Sequence, residues 1–275
     1  MSTKEKILGT LFSLFISFFL FVLLFVSVSK VTLMNKGYLL STLDKTGYYR
    51  DVMDELTLDF KKSAGAAGFE PAIYDNFLKE DEVKKAAVEF INASFQDKNA
   101  VVKQTDFKKK LRTYLKDVIK NKNLVLDKEG EQRLEKYIDI NANGYRKYVQ
   151  FPFIQYIVMG VDMMDRILPF VIGACSILLL FAIFFLYRMR LKKANTLSFL
   201  STAASGAGWM IVLIPALILL GGYTHKIRLE PEYYYKFFVS FLDGYLWMLI
   251  LCGTALIIVG GLLLTIAYKK RLRVK

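Results

Sequence analysis

The residues that could perform catalysis in this chain are few, and they include a single histidine. His225 could form a Ser-His-Asp relay with Asp243 and a serine, because such a relay holds the imidazole between a carboxylate and a hydroxyl. One histidine gives that triad little specificity, and Cys175 with Cys252 offers too few ligands for a metal site. The sequence also has no P-loop, dinucleotide fingerprint, HExxH, CxxC or EF-hand loop. We therefore expect no catalytic residue, no bound metal and no cofactor.

Two other groups of residues are suited to binding rather than to catalysis. A helix predicted after Thr105 has an apolar stripe opposite a basic face, which could contact an anionic lipid or a cell-wall polymer. The candidate residues on this face are Lys108, Lys109, Arg112 and Lys116. A second candidate surface for a partner or lipid is the aromatic run Tyr233, Tyr234 and Tyr235. The alternatives are a solvated helix face and an aromatic belt at the membrane surface.

Four long apolar stretches must position these residues, at about 7–29, 167–186, 197–223 and 245–268. Each is near or above the roughly 20 apolar residues that a helix needs to cross a bilayer. A chain in hydrocarbon must satisfy its own backbone hydrogen bonds, so each crossing is expected to be helical. The sequence therefore predicts an all-α transmembrane protein with four spans.

The formal charge of +13 is concentrated at one end of each span. The segment before the first span carries +1, segment 188–193 carries +4 and segment 269–275 carries +5, which leaves +3 for the much longer remainder. Because basic residues next to spans mark the cytoplasmic side, both termini are predicted to be cytoplasmic. The basic segments then indicate topology and contact with anionic headgroups, and we expect no nucleic-acid partner.

The predicted domain organisation follows from the spans and this charge distribution. The first span is interpreted as an uncleaved signal anchor, because its apolar run is longer than the 7–15 residues of a signal-peptide core; cleavage near Ser29 is the alternative. The predicted segments are a cytoplasmic terminus with span one (1–30), an extracytoplasmic all-α domain (31–165), span two (166–188), a basic cytoplasmic loop (189–196), span three (197–223), an aromatic outer loop (224–244), span four (245–268) and a basic tail (269–275).

The extracytoplasmic domain is predicted to contain about five helices, because its apolar residues recur at helical spacing. Glycines after Ser63 end one helix, and Pro152 interrupts the chain before the second span. The expected N-terminal caps of the later helices are Asp81, Thr105 or Asp106, and Asp127. No run of residues shows the alternation of a strand over more than a few positions.

Spans three and four are predicted to pack closely, because small residues recur at intervals of four and let helices approach in lipid. The predicted packing residues are Ser201, Ala204, Ser205, Gly208, Gly253, Gly260 and Gly261. The same pattern could join two copies of the chain, so a homo-oligomer or another membrane protein is the expected partner beside the lipid bilayer. Span one is rich in phenylalanine and leucine and is expected to face lipid.

These features favour a non-enzymatic multi-pass plasma-membrane protein whose outer helical domain senses or binds a ligand or partner. The order of one span, a large outer domain and three spans resembles the FtsX/MacB type of ABC-transporter permease; the resemblance is one of topology and implies a cytoplasmic ATPase partner. A membrane-embedded enzyme is the third hypothesis. The Lys-, Asn-, Phe- and Tyr-rich composition and the cysteine-free outer domain indicate a bacterial plasma membrane, with secretory-pathway membranes as the alternative.

Overall fold

The regular structure of the chain is entirely helical. The computed structural model describes residues 3–189 and 193–272, and no strand occurs in those ranges, which confirms the predicted all-α class. Arg190, Lys192, Arg273 and Lys275, which belong to the predicted basic loop and tail, lie outside the described residues. The α-helices are α1 (Thr3–Val31), α2 (Lys36–Lys45), α3 (Tyr48–Ala66), α4 (Glu80–Ser94), α5 (Thr105–Asn121), α6 (Lys128–Val149), α7 (Ile154–Arg188), α8 (Lys193–Leu220) and α9 (Glu232–Leu272). Short 3₁₀ helices occupy Pro71–Tyr74 and Thr224–Lys226.

Four of these helices have the length and apolarity needed to cross a membrane. They are α1, α7, α8 and α9, and their most apolar stretches have mean hydropathies of 2.8, 2.7, 2.1 and 2.6. This agrees with the four predicted spans and indicates a membrane protein. Two of the helices are longer than their apolar stretches. Helix α7 begins at Ile154 and α9 at Glu232, before the apolar stretches that start near 167 and 245. Most of the segment 224–244, predicted to be a loop, is therefore the start of α9.

The chain forms two compact units. The four-helix unit comprises Met1–Thr42 and Val161–Lys275, and the inserted domain comprises Leu43–Gly160. The inserted domain contains α3 to α6 and the first 3₁₀ helix, and it falls within the predicted segment 31–165.

The core of the inserted domain forms from apolar stripes at helical spacing. In α5, Phe107, Leu111, Leu115 and Ile119 recur every four residues and are all buried. One face of α4 is buried as well, namely Val83, Ala87, Phe90, Ile91 and Ser94. The two stripes pack with those of α3 and α6 around a cluster of aromatic rings, Phe60, Tyr74, Phe77, Phe107 and Tyr145.

Only one of the predicted helix caps is present. The Asp127 carboxylate accepts a hydrogen bond from the Gly130 amide at 2.7 Å, as expected for a residue that precedes α6. The prediction was wrong for α4 and α5, which begin after Lys79 and Gln104 without a side-chain cap. Three acidic residues in the first turn of α4 interact favourably with the positive end of the helix dipole instead.

A buried polar network joins α3, the first 3₁₀ helix and α6. The hydroxyls of Tyr74 and Tyr137 lie 3.0 Å apart, and the Ser63 hydroxyl lies 3.2 Å from that of Tyr137. Ser63 also donates a hydrogen bond to the Asn141 side-chain oxygen at 2.8 Å, and the Asn141 amide donates to the Tyr137 carbonyl. Because each member has a partner, this network adds directional contacts to an otherwise apolar core.

The four-helix unit is built on the contact between α8 and α9. At the closest approach Gly208 faces Gly253: a Cβ added to Gly208 would lie 2.6 Å from the Gly253 carbonyl oxygen. Nearer the end of α9, the Ser201 hydroxyl donates a hydrogen bond to the Gly260 carbonyl oxygen at 2.7 Å. Because the glycines have no side chain, the backbones of α8 and α9 can approach closely, as is common for helices that associate in lipid.

The expectation that span one faces lipid was wrong for one side of α1. Gly9, Ser13 and Ser17 recur every four residues, and all three are buried. The Ser13 hydroxyl donates to the Phe199 carbonyl oxygen at 2.9 Å, and the Phe199 ring lies over Gly9. The helix therefore presents a small-residue stripe to α8, while exposed side chains such as Phe15 and Phe18 cover the other side.

Candidate functional site

The basic face of α5 is largely occupied by ion pairs within the inserted domain. Lys108 lies 2.7 Å from an Asp139 oxygen, and Arg112 donates two hydrogen bonds to Glu135, at 2.7 and 2.5 Å. The Arg112 guanidinium lowers the pKa of Glu135, and the carboxylate in turn raises the pKa of Arg112. Two of the four candidate residues thus connect α5 to α6.

The other two candidates on this face, Lys109 and Lys116, are exposed and have no ion pair within the described ranges. They are separated along the helix by Arg112, whose charge is neutralised by Glu135. These two candidates are therefore dispersed cations rather than a continuous basic platform, and a pair of exposed lysines gives only weak attraction to an anionic surface.

The tyrosines Tyr233, Tyr234 and Tyr235 occupy the first turn of α9 and differ in burial. Tyr233 is 4% exposed, and its ring lies 4.5 Å from that of Tyr234. Tyr235 is half-buried, and its hydroxyl lies 3.5 Å from Nδ1 of His225. Only part of this cluster is available to a partner, because its first member belongs to the core.

His225 and Asp243 lie side by side, as a relay would require, but the hydroxyl component is a tyrosine. Nε2 of His225 lies 3.6 Å from Oδ2 of Asp243, while Tyr235 approaches the other ring nitrogen. No serine in the described part of the chain hydrogen-bonds to this histidine. The imidazole is mostly exposed, and the arrangement joins the second 3₁₀ helix to α9. Tyr38, whose hydroxyl donates to the Phe241 carbonyl, has its pKa raised by burial and by Asp243.

Residues suited to metal binding are not gathered anywhere in ranges 3–189 and 193–272. No group of three or more His, Cys, Asp or Glu side chains there could hold a metal ion. Cys175 and Cys252 are both free thiols.

The inserted domain contains a half-open pocket that the sequence analysis did not identify. Its volume is about 530 Å³, and residues of α4, the segment between α4 and α5, α5 and α6 line it. The apolar lining comprises Leu78, Ala86, Phe90, Ala93, Val101, Val102 and Phe107. The charged lining comprises Glu82, Lys85, Glu89, Lys103, Asp106 and Lys110. We call it the Tyr145 pocket, after the one tyrosine that lines it.

Tyr145 is held rigidly at this pocket. Its ring stacks on that of Phe107 with centroids 4.0 Å apart and planes 6° from parallel. The residue is only 6% exposed, and burial raises the pKa of its hydroxyl to about 12, with further contributions from Glu82 and Glu89. The hydroxyl is consequently neutral at physiological pH. The position of Tyr145 in the apolar stripe of α6 can be recognised from the sequence. The residues of other helices that line the pocket with it cannot.

One charged pair on the rim is already neutralised. Lys110 lies 2.5 Å from a Glu82 oxygen, donates a hydrogen bond to the Phe77 carbonyl at 2.9 Å and sits 4.8 Å above the Phe77 ring. These contacts hold the Lys110 side chain in the lining of the pocket. The remaining charged lining residues, Lys85, Glu89, Lys103 and Asp106, have no ion pair within the part of the chain that the structure describes.

Comparison with known proteins gives no match for this chain, either to a protein-family model, to a curated protein or to a solved structure. Its function is therefore argued from its own residues.

Proposed function

We propose that this chain is a multi-pass plasma-membrane protein whose inserted domain lies outside the cytoplasm and binds a small ligand. The observation that carries the proposal is the Tyr145 pocket. Its volume of about 530 Å³ is within the range of small-molecule sites, and it combines an apolar lining with a few polar groups, as such sites do. In this proposal the protein is a non-enzymatic sensing or binding protein.

The proposed orientation is supported by the charge distribution. The basic residues flank the ends of the spans that do not carry the inserted domain, and the positive-inside rule assigns those ends to the cytoplasm. The domain also contains no cysteine, so it would need no disulfide in an oxidising compartment. The charge distribution therefore favours an extracytoplasmic ligand, and the cysteine-free composition is compatible with it.

Cysteine accessibility tests the orientation. In a background with Cys175 and Cys252 replaced by alanine, Lys128→Cys places a thiol on the exposed start of α6, and Lys269→Cys places one on the exposed end of α9. A membrane-impermeant maleimide added to intact cells should label the Lys128→Cys variant and label Lys269→Cys only after lysis. The reverse pattern would refute the proposed topology.

Ligand binding is tested by a thermal-unfolding survey of the full chain in detergent. Amino acids, short peptides, fatty acids, aliphatic amines and sugar phosphates represent the main chemical classes of small extracytoplasmic ligands. We expect one class to raise the unfolding temperature of the wild type, because a ligand that binds only the folded state stabilises it. The shift should be reduced in Tyr145→Phe. The absence of a Tyr145-dependent shift with every class would count against a binding function for this pocket.

A second candidate is an accessory or permease-like subunit of an ABC-type complex. It is favoured by the position of the inserted domain, which follows α1 and precedes the three other long apolar helices. This proposal requires an ATPase at the basic segment between α7 and α8. Cross-linking from Arg188→Cys in membranes, read by mass spectrometry, should then recover an ATPase, and recovery of none would oppose the proposal.

A further inference from the structure

The most informative group in the Tyr145 pocket is a hydroxyl without a hydrogen-bond partner. Tyr145 is 6% exposed, yet neither a side chain nor a backbone group within residues 3–189 and 193–272 hydrogen-bonds to its hydroxyl. Unlike the hydroxyl oxygen of Tyr49, the hydroxyl oxygen of Tyr145 is not completely buried. The oxygen therefore keeps some accessible surface, and it belongs to a residue that lines the pocket. A deeply placed hydroxyl of this kind is stabilised by a polar group that enters the pocket.

The electrostatic surroundings of this hydroxyl favour a positively charged group. Burial is the main cause of the raised pKa of Tyr145, and Glu82 and Glu89 add to it, so two carboxylates of the pocket lie near enough to act on the hydroxyl. Lys110 neutralises Glu82, whereas Glu89 has no ion pair in the described ranges. An ammonium group could pair with Glu89 and donate a hydrogen bond to the Tyr145 oxygen, which is free to accept one.

The pocket also presents cations that no acid of the domain neutralises. Lys85 and Lys103 line it, and neither has an ion pair in the described part of the chain. A ligand with a single positive charge would leave these lysines unmatched, and a ligand with a single negative charge would leave the unpaired acids Glu89 and Asp106 unmatched. Charge complementarity thus favours a ligand that carries both signs.

The space between these charges is apolar. The apolar lining includes Phe90 and Phe107, which are 5% and 8% exposed, together with Ala86 and Ala93. Burying an aliphatic or aromatic side chain there contributes binding energy in proportion to its apolar area. A purely polar zwitterion would gain nothing from this lining.

We propose that the Tyr145 pocket binds a small zwitterion with an apolar side chain, namely a free hydrophobic amino acid or a short hydrophobic peptide. The ammonium group of the ligand lies at Glu89 and the Tyr145 hydroxyl, its carboxylate lies at Lys85 or Lys103, and its side chain packs on Phe90 and Phe107. This assignment rests on the ligand-binding function proposed above, and it specifies the chemical class.

The test uses calorimetric titration of the full chain in detergent with four probes. Leucine and leucyl-leucine are zwitterions, leucinamide has only the ammonium group, and N-acetyl-leucine has only the carboxylate. At least one zwitterion should bind at micromolar to millimolar concentration. Leucinamide and N-acetyl-leucine, which each lack one charge of leucine, should bind about tenfold or more weakly than the better zwitterion, since a hydrogen bond to a charged group contributes about 1.5–3 kcal/mol; if leucyl-leucine is the better one, its amide and its N-acetyl derivative replace them. The absence of binding by both zwitterions, or equal binding by the singly charged analogues, would overturn the assignment.

Two variants locate the binding in this pocket. Tyr145→Phe keeps the stacked ring and removes only the hydroxyl. Glu89→Gln keeps the shape of this exposed side chain and removes its charge. Each variant should weaken zwitterion binding about tenfold. The matched control is Glu131→Gln, an exposed acid in the first turn of α6 outside the pocket, which should leave affinity unchanged. If Tyr145→Phe and Glu89→Gln bind as tightly as the control, the assignment is wrong.

The results of these tests distinguish an error in the ligand class from an error in the proposed function. A Tyr145-dependent response to fatty acids, amines or sugar phosphates, with no response to zwitterions, would refute the assignment and leave a ligand-binding domain. Cytoplasmic labelling of Lys128→Cys would refute the extracytoplasmic location even if zwitterions bind.

Discussion

Replacing Gly208 by alanine adds one methyl group where α8 and α9 lie closest. The new Cβ would lie 2.6 Å from the Gly253 carbonyl oxygen and 2.7 Å from Cγ1 of Ile257. Non-bonded heavy atoms are most stable at about 3.5–4.0 Å. Because the Gly253 oxygen belongs to the backbone of α9, a rotamer change cannot relieve this contact. The two helices must separate locally by an amount on the order of 1 Å.

The expected energetic effect combines two opposing contributions. Overpacking of a close contact destabilises a protein by about 1–3 kcal/mol. Alanine is favoured over glycine inside a helix by up to about 1 kcal/mol, which offsets part of that loss. Because the clash is with a backbone oxygen, we take the upper part of the overpacking range, about 2–3 kcal/mol, and after the offset we expect Gly208→Ala to lower the free energy of unfolding by about 1–2 kcal/mol.

Gly261→Ala is the matched control, because it makes the same substitution in α9 where a Cβ would meet nothing within 4 Å. It should leave the free energy of unfolding unchanged or raise it slightly. The assay is reversible unfolding of the full chain in mixed micelles, followed by circular dichroism. If Gly208→Ala is as stable as the wild type, or if both variants lose equal stability, the close contact between α8 and α9 does not contribute as described.

Three further substitutions test other contacts. Ser201→Ala removes the hydrogen bond to the α9 backbone and should lower the free energy of unfolding by about 0.6 kcal/mol in the same assay. Tyr137→Phe leaves the buried Tyr74 hydroxyl without its partner, and should destabilise the inserted domain by about 1–3 kcal/mol, measured by hydrogen exchange of α3 and α6. Glu135→Gln should lower the unfolding temperature near pH 7. The pKa of Glu135 is lowered in the folded state, so the ionised carboxylate stabilises the fold at pH values above its ordinary pKa of 4.5. This stabilisation is lost as the pH falls through the lowered pKa. The difference in unfolding temperature between wild type and Glu135→Gln should therefore disappear at that low pH.

Each of these substitutions has a control on the same unit. Thr202→Ala removes an exposed hydroxyl that bonds only within α8 and should change stability less than Ser201→Ala. Tyr49→Phe removes a buried hydroxyl that has no hydrogen-bond partner among the described residues, so it should be neutral or stabilising, opposite to Tyr137→Phe. Glu129→Gln affects an exposed pair within α6 and should show little pH dependence. Equal effects for a variant and its control would contradict the corresponding argument.

The sequence predicts the helices well where one face must be buried. The stripe from Phe107 to Ile119 and the apolar spans are local patterns, so their periodicity and length are readable without knowledge of the fold. The caps at α4 and α5 were mispredicted because Asp81 and Thr105 are plausible capping residues by type, and only backbone geometry shows that Lys79 and Gln104 precede the helices.

The binding features were less predictable because residues distant in sequence create them. The basic face of α5 looked free until α6 brought Glu135 and Asp139 against it. The Tyr145 pocket likewise requires residues of α4, α5 and α6 at once. The stripe of Gly9, Ser13 and Ser17 was readable in the sequence, but the abundance of phenylalanine in the same helix favoured the wrong interpretation.

The contact between α8 and α9 has a consequence for how the protein is made. Only residues 221–231 separate the two helices, and the second 3₁₀ helix occupies part of that connection. Helices that are adjacent in sequence and fit closely can enter a bilayer together, as a helical hairpin, before other spans join them. Such local pairing is also rapid, because little chain entropy is lost on closing a short connection. These two spans would therefore leave the translocation machinery as a preassembled pair, against which α1 then docks.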